Sequence, residues 1–171
     1  MAISHDRVNR FLQREGDTPL DLFQESKRGL ALKGGTLSVD DSVLDQPYRH
    51  PMDWVGYFWS GNHHRVVKGI NLITLDSTDV HGPHRPVNDR LDEKAEGKSK
   101  NDSFQDMRAE VRAWGLEPAV VTGDRGYRGV DHLKRVRNHS MGFLFALESN
   151  RRVAVDKGLS PPFCKVLTLP F

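Results

Sequence analysis

A single cysteine, Cys164, stands in 171 residues. No intramolecular disulfide can form and no cysteine-rich zinc site exists, a usage that fits a reducing compartment. Long apolar runs are missing as well: nothing approaches the roughly 20 residues that a bilayer-spanning helix needs. At the N-terminus, His5, Asp6, Arg7 and Arg10 interrupt any apolar core of the kind a secretory leader carries. The expectation is a soluble, cytoplasmic protein with no membrane partner. Charge of one sign is also lacking. Lys and Arg total 25 against 23 Asp and Glu, a formal net charge of +2, too small by itself to imply a polyanion partner. Any such surface has to come from local clusters. What is present is ordinary for a folded domain. Hydrophobic residues make up 37% and charged residues 28%, which excludes a disordered chain and, at this length, allows one domain with a real core.

Ser4 can cap a short helix with Val8, Phe11 and Leu12 on its apolar face and Gly16 closing it. Thr18-Pro19-Leu20-Asp21 starts a second, with a capping hydroxyl, proline in the first turn and an acid three residues on. It runs to about Leu32, where Gly34-Gly35 stop it. Residues 1–34 thus read as a helical N-terminal hairpin. Thr36-Leu37-Ser38-Val39 alternates as a strand and ends in Asp40-Asp41-Ser42. From about Val43 to His64, Pro47, Pro51, Gly56 and Gly61 mix with Trp54, Tyr57, Phe58 and Trp59. That stretch reads as a long loop fixed to the core by its aromatic side chains, with base stacking as the disfavoured alternative.

Val66 to Leu75 is the best strand, and Arg85 to Leu91 returns antiparallel after a turn at Asp79-Val80-His81-Gly82-Pro83. Lys94 to Lys100 reads as a flexible charged loop. Asn101 or Asp102 then caps a helix whose apolar stripe is Phe104, Met107, Val111 and Trp114. Ala119-Val120-Val121-Thr122 is a buried parallel strand leading into Gly123-Asp124, Val130 to Asn138 is helical, and Gly142 to Leu147 is another buried strand. The order is three strands, helix, strand, helix, strand. The first three can meander, and crossover helices make the last two parallel to the first, giving an α/β fold with a mixed sheet. Ser160 to Phe171, with Pro161, Pro162 and Pro170, has no period and reads as an irregular tail.

Two acids stand at the ends of apolar strands, Asp40 and Asp124. Carboxyl ends of neighbouring parallel strands share one sheet edge, where sites usually form. Two carboxylates held close repel unless a cation lies between them. Mg²⁺ or Mn²⁺ suits that position, because it takes oxygen ligands from one or two carboxylates and keeps several waters. Helix capping and turn formation are the plainer uses of such aspartates.

The run Gly35-Thr-Leu-Ser-Val-Asp-Asp-Ser-Val-Leu-Asp-Gln-Pro-Tyr48 resembles the first catalytic motif of bacterial insertion-sequence transposases of the DDE superfamily, in the branch with a hydrophobic-Asp-Asp-Thr motif. Further matches are Phe58-Trp-Ser-Gly-Asn-His-His-Arg-Val-Val-Lys-Gly-Ile-Asn-Leu-Ile-Thr-Leu75, Lys94-Ala-Glu-Gly-Lys-Ser-Lys-Asn-Asp102 and Val121-Thr-Gly-Asp-Arg-Gly-Tyr127. The resemblance covers about residues 5–157. It implies a ribonuclease-H-like core, here residues 35–157 with 158–171 as the tail, and cutting and joining of DNA ends at the element's terminal repeats. It also implies two divalent metals held by Asp, Asp and Glu, and a homodimer or larger complex on paired ends. Such a protein is nucleoid-associated when bound to DNA. Asp40 takes the first role and Asp124 the second, with Asp41 as competitor for Asp40. The family's Asp-x-Ser/Thr spacing favours Asp40, and neighbouring strand residues point to opposite faces, so both cannot ligate equally.

The third carboxylate has no counterpart. In relatives it lies on a helix beyond the last strand, in a Tyr-x-x-Arg-x-x-x-Glu context that nothing here matches. Glu148 reaches the same sheet edge but is not where the resemblance puts the glutamate. The expectation is a core truncated at its C-terminus with weak or no activity, the alternative being a non-catalytic DNA-binding remnant. Ser42 replaces the usual Thr, and Arg125 and Arg128 flank Gly126-Tyr127 where relatives carry small or uncharged residues. Candidate DNA-phosphate contacts are Arg65, Lys68, Arg125, Arg128, Lys134, Arg135, Arg137, Arg151 and Arg152. A solvated charged face is the plainer reading for each. His63, His64, His81 and His84 lack the spacing of a zinc site.

Overall fold

The computed structural model describes residues 16–46, 54–92, 97–127 and 129–146. The helix opened by Ser4, the side chains of Arg128, Glu148, Arg151, Arg152 and Cys164, and the tail from Ser160 lie outside them.

The first described helix, α1, spans Pro19–Ser26. Thr18 caps it as the sequence suggests: its side chain accepts from the Asp21 amide, and the Asp21 carboxylate accepts from the Thr18 amide at 2.8 Å. It is shorter than expected. After Ser26 the chain passes through a 3-10 turn, Lys27–Gly29, and extends by Leu30. Among the described residues no helix is long and apolar enough to cross a membrane.

Six strands form one sheet: β1 Thr36–Asp45, β2 Gly56–Ser60, β3 Arg65–Thr78, β4 His84–Leu91, β5 Val120–Gly123 and β6 Gly142–Phe145. β1 runs antiparallel to β3 over its whole length, from Thr36↔Thr78 to Asp45↔Gly69. The other edge of β3 carries β2 and β4, both antiparallel. β5 joins β1 in parallel and β6 joins β5 in parallel. This is the mixed α/β, ribonuclease-H-like arrangement expected, with two differences. β1 does not stop at Asp40 but continues five residues to Asp45 along the long edge of β3. And the aromatic stretch is not all loop: Gly56–Ser60 is a strand paired to β3. Strand alternation therefore buries Phe58 while turning Tyr57 and Trp59 outward, 67% and 63% exposed. Loop-fixing by aromatics holds for Phe58 and not for these two.

The core lies on one face of the sheet. Leu37 and Val39 of β1, Ile73 and Leu75 of β3, Val121 of β5 and Phe145 of β6 meet Phe23 of α1 there. Two later helices close it: α2, Lys100–Ala113, and α3, Val130–Asn138. Phe104, Met107 and Val111 of α2 are fully buried, which is the stripe read from the sequence. Trp114 at its C-terminal cap packs 5.3 Å from the Phe23 ring. The cap at the other end is Ser99 rather than Asn101 or Asp102, in a reciprocal pair with Asp102. Polar contacts fix the rotation of α2 over β4. The buried Asn88 amide donates to Glu110 at 2.9 Å, and Arg90 meets the same carboxylate at 2.6 Å.

His132 of α3 is buried among Phe104, 4.6 Å away, and Phe145, 5.9 Å away. Burial first, then the positive charges of Arg108 and Arg135, hold its imidazole down at about 4.

Phe104→Ala should cost about 3–5 kcal/mol, because the cavity opens at the centre of a close-packed helix–sheet contact. Urea unfolding measures it, and a loss under about 1 kcal/mol would contradict this core. His132 gives a pH test. The unfolded imidazole binds its proton near pH 6.5 and the folded one near 4, so between these values the unfolded chain holds the extra proton. Stability contributed by the neutral ring is complete above pH 6.5 and falls as pH drops toward 4, by at most ~1.4 kcal/mol per pH unit. Urea midpoints at pH 7, 6 and 5 should fall more steeply for the wild type than for His132→Phe; parallel trends would speak against a buried neutral imidazole.

Candidate active site

β1 and β5 pair only from Thr36↔Val120 to Val39↔Gly123. There β5 ends, while β1 continues along β3, so the second half of β1 has an edge that β5 does not cover. Asp40 and Asp41 come immediately after the last pair on one strand, and Asp124 immediately after it on the other. Asp41 alternates onto the face of Leu37 and Val39, toward α2, and its Oδ1 lies 2.9 Å from Lys100 Nζ. Asp40 alternates to the opposite face and is exposed. Its Oδ1 accepts from the Asp41 amide at 2.9 Å, occupying a donor on the strand edge. Asp124 Oδ1 accepts from the Gly126 amide at 2.6 Å, an Asx turn that opens the 3-10 turn Arg125–Tyr127.

The three aspartates line one cleft of about 470 Å³. Its other walls come from Phe58, Trp59 and Gly61 at the end of β2, Asn71 of β3, Asp92 just past β4, Lys100 of α2 and Arg125. Asn71 is buried. Its amide donates to Asp92 Oδ2 at 3.2 Å, and its Oδ1 has no hydrogen-bond partner. Tyr127 is fully buried behind the carboxylates. Its phenol is held well above the usual tyrosine range, by burial first and then by the negative charge of Asp41, Asp124 and Asp40.

Of the basic candidates, Arg125 lines the cleft. Arg65 opens β3 beside the turn whose Gly61 lines it, and Lys68 lies three residues further along the same strand. Lys134, Arg135 and Arg137 are exposed on α3. Arg135 borders a second, smaller cleft with Asn101, Gln105 and His132, and Lys134 pairs with Asp131 at 3.3 Å. His63 stands 3.7 Å from Asp45, and His84 bonds Thr78 at 2.9 Å. Sequence reasoning missed Asn71, Asp92 and Lys100. The signal for Lys100 was available: Ser99-x-x-Asp102 is a capping box, which puts residue 100 at the start of a helix rather than in a flexible loop.

Among the described residues, no three His, Cys, Asp or Glu side chains come together closely enough to hold one metal ion. Asp41 and Asp124 fit a less demanding tenant. The cleft already accommodates one cation, the Lys100 ammonium, and two carboxylates with water are a sufficient protein contribution for Mg²⁺ or Mn²⁺.

No family model and no curated protein matches the sequence. Solved structures do resemble it in fold. A piggyBac transposase synaptic complex with hairpin DNA matches over 70% of this chain with a TM-score of 0.51 and 13% identity. The chain spans only 24% of that transposase's length. A Drosophila P element transposase strand transfer complex matches over 84% of this chain and 34% of its own, at 11% identity and a TM-score of 0.42. A simian T-cell lymphotropic virus intasome matches over 71% and 35%, at 9% identity and a TM-score of 0.39. These last two are too loose to argue from. The fold is therefore ribonuclease-H-like and similar to the matched part of the piggyBac transposase, with four antiparallel strands leading into two parallel ones.

Proposed function

We propose that this chain is the catalytic-core part of a DNA transposase of the bacterial insertion-sequence DDE type, whose ancestral chemistry is metal-dependent phosphodiester cleavage and strand transfer. The observation that carries the reading is the meeting of Asp41, Asp40 and Asp124 in one cleft, where the parallel pairing of β1 and β5 ends. Asp124 and Asp41 are the proposed holders of Mg²⁺ or Mn²⁺. Asp41 is favoured over Asp40 because it faces α2 and the Lys100 ammonium, while Asp40 alternates to the opposite face of β1. A divalent ion bound there supplies a Lewis acid that activates a water or 3′-hydroxyl and stabilises the leaving oxygen.

The chain's own residues do the rest. Asp41 and Asp124 fix the position of charge. Arg125 stands in the cleft wall, where a guanidinium can take a phosphate oxygen and hold the backbone in line. Arg65, Lys68 and the α3 basic residues extend phosphate contact, setting affinity rather than sequence choice. The proposed partner is DNA at the element's terminal repeats, with a homodimer in the intact enzyme.

A second reading, a DNA-binding remnant without turnover, is favoured by one observation: among the described residues no third acid joins the other two at metal-binding distance. Purified chain, Mn²⁺ and a supercoiled plasmid carrying the terminal repeats separate the two. Slow nicking is expected. Asp124→Asn and Asp41→Asn should each reduce it at least ~100-fold, and Asp40→Asn, acting through a neighbouring amide, less than ~10-fold. Band-shift binding with no nicking in any metal would establish the remnant, and loss confined to Asp40→Asn would move the metal to that side chain.

A further inference from the structure

We infer that Lys100 is a built-in counter-ion for Asp41, its ammonium resting on a carboxylate that a divalent ion would take, so that lysine and metal compete. This rests on the reading of Asp41 and Asp124 as metal ligands.

Lys100 is the first residue of α2, and the reciprocal Ser99–Asp102 cap fixes its backbone. A positive side chain in the first turn faces the positive end of the helix dipole and is disfavoured there. Two partners offset this. Asp41 Oδ1 is 2.9 Å from Nζ. The Tyr127 ring lies beneath Nζ, with its centroid 4.8 Å away, within cation–π range. The space beside Gly126 is filled by the same side chain: a Cβ built there would overlap the Lys100 ammonium and stand 2.9 Å from Asp124 Oδ1.

The electrostatic logic follows. Carboxylates gathered in one cleft repel one another, and Asp92 adds another to the same walls. A tethered ammonium relieves that repulsion while no metal is bound. It cannot remain when a divalent ion takes the same oxygens, because two cations would then share one site. The four-carbon stem is flexible and the side chain is 31% exposed, so the displaced ammonium can swing to the cleft mouth beside Arg125, where a DNA phosphate would receive it. Lys100 is thus a positioning residue, holding the Asp41 carboxylate in place for a cation that replaces it.

The test measures Mn²⁺ binding to the full chain by calorimetry and electron paramagnetic resonance, without DNA. Lys100→Met removes the charge at nearly constant length. Lys100→Gln removes the charge and keeps a polar end. Both should bind Mn²⁺ about tenfold more tightly than the wild type, a difference of about 1.4 kcal/mol. In EDTA, Lys100→Met should also melt at lower temperature than the wild type, with Mn²⁺ recovering the difference. Asp124→Asn, the control, should lose binding. If the wild type binds Mn²⁺ through Asp124 but neither variant binds more tightly, competition by Lys100 is wrong while the metal reading stands. If no form binds Mn²⁺, both fall together.

Discussion

β1 and β5 are far apart in the chain and pair over only four residues, yet the place where that pairing stops decides where Asp40, Asp41 and Asp124 stand. Val39↔Gly123 is the last pair, and it closes tightly because position 123 has no side chain. A Cβ there would come within 2.6 Å of Val39 Cγ1 and 2.9 Å of Phe145 Cε1, closer than packed carbon atoms tolerate. Three strands, β1, β5 and β6, are thereby drawn together at one level. Beyond it, β5 turns away into Asp124, while ten residues of pairing with β3 keep β1 extended through Asp40 and Asp41. The site is a consequence of two strands of unequal length sharing a register.

That geometry brings negative charge together, and the surroundings show how the fold tolerates it. Asp41 is the least exposed of the acids paired to a cation here, its side chain 18% accessible, so its charge is the one least screened by water. It is also the one that meets the lysine. Asp40, turned to solvent, needs only a backbone amide, and Asp124 is held by the amide of Gly126. Each carboxylate is given a partner of a strength that matches its burial. Tyr127 is buried behind them, and its phenol, neutral at ordinary pH, adds no further negative charge to the cleft.

Elements with a strong local signature were legible in the sequence. The Thr18 cap, the apolar stripe of α2 and the strand at Val120-Val121 each follow from periodicity or capping chemistry that tertiary context did not override. The failures have a common cause. The end of β1 was read at Asp40 because acids usually terminate strands, but pairing with the unusually long β3 extends it to Asp45. The strand at Gly56–Ser60 carries glycine and outward aromatics, and it exists because β3 offers an edge, which no window of a few residues can reveal. At the site, Asp40, Asp41 and Asp124 were identifiable from strand-end position and family likeness. Asn71 and Asp92 were not, because each reaches the cleft through pairing along β3 that no local window reveals, whereas the Ser99–Asp102 capping box could have placed Lys100 at a helix start.

Two carboxylates with no third acid at metal-binding distance among the described residues make a demanding arrangement of a particular kind. Mg²⁺ binds with one or two protein carboxylates when substrate phosphates supply the remaining oxygens. On the proposed reading, such a site is completed by DNA rather than by the protein, and Arg125 in the same wall has the charge to bring a phosphate there. Asp92 is not a ready substitute, since its Oδ2 accepts from the Asn71 amide, whose own Oδ1 is left unsatisfied. Drawing Asp92 toward an ion would break that hydrogen bond and leave Asn71, buried in the cleft floor, with neither end paired, a cost of about 1–3 kcal/mol for each orphaned group. On that same reading the cleft would take a loosely held ion that depends on phosphate, and the Lys100 ammonium would be the counter-charge that gives way to it.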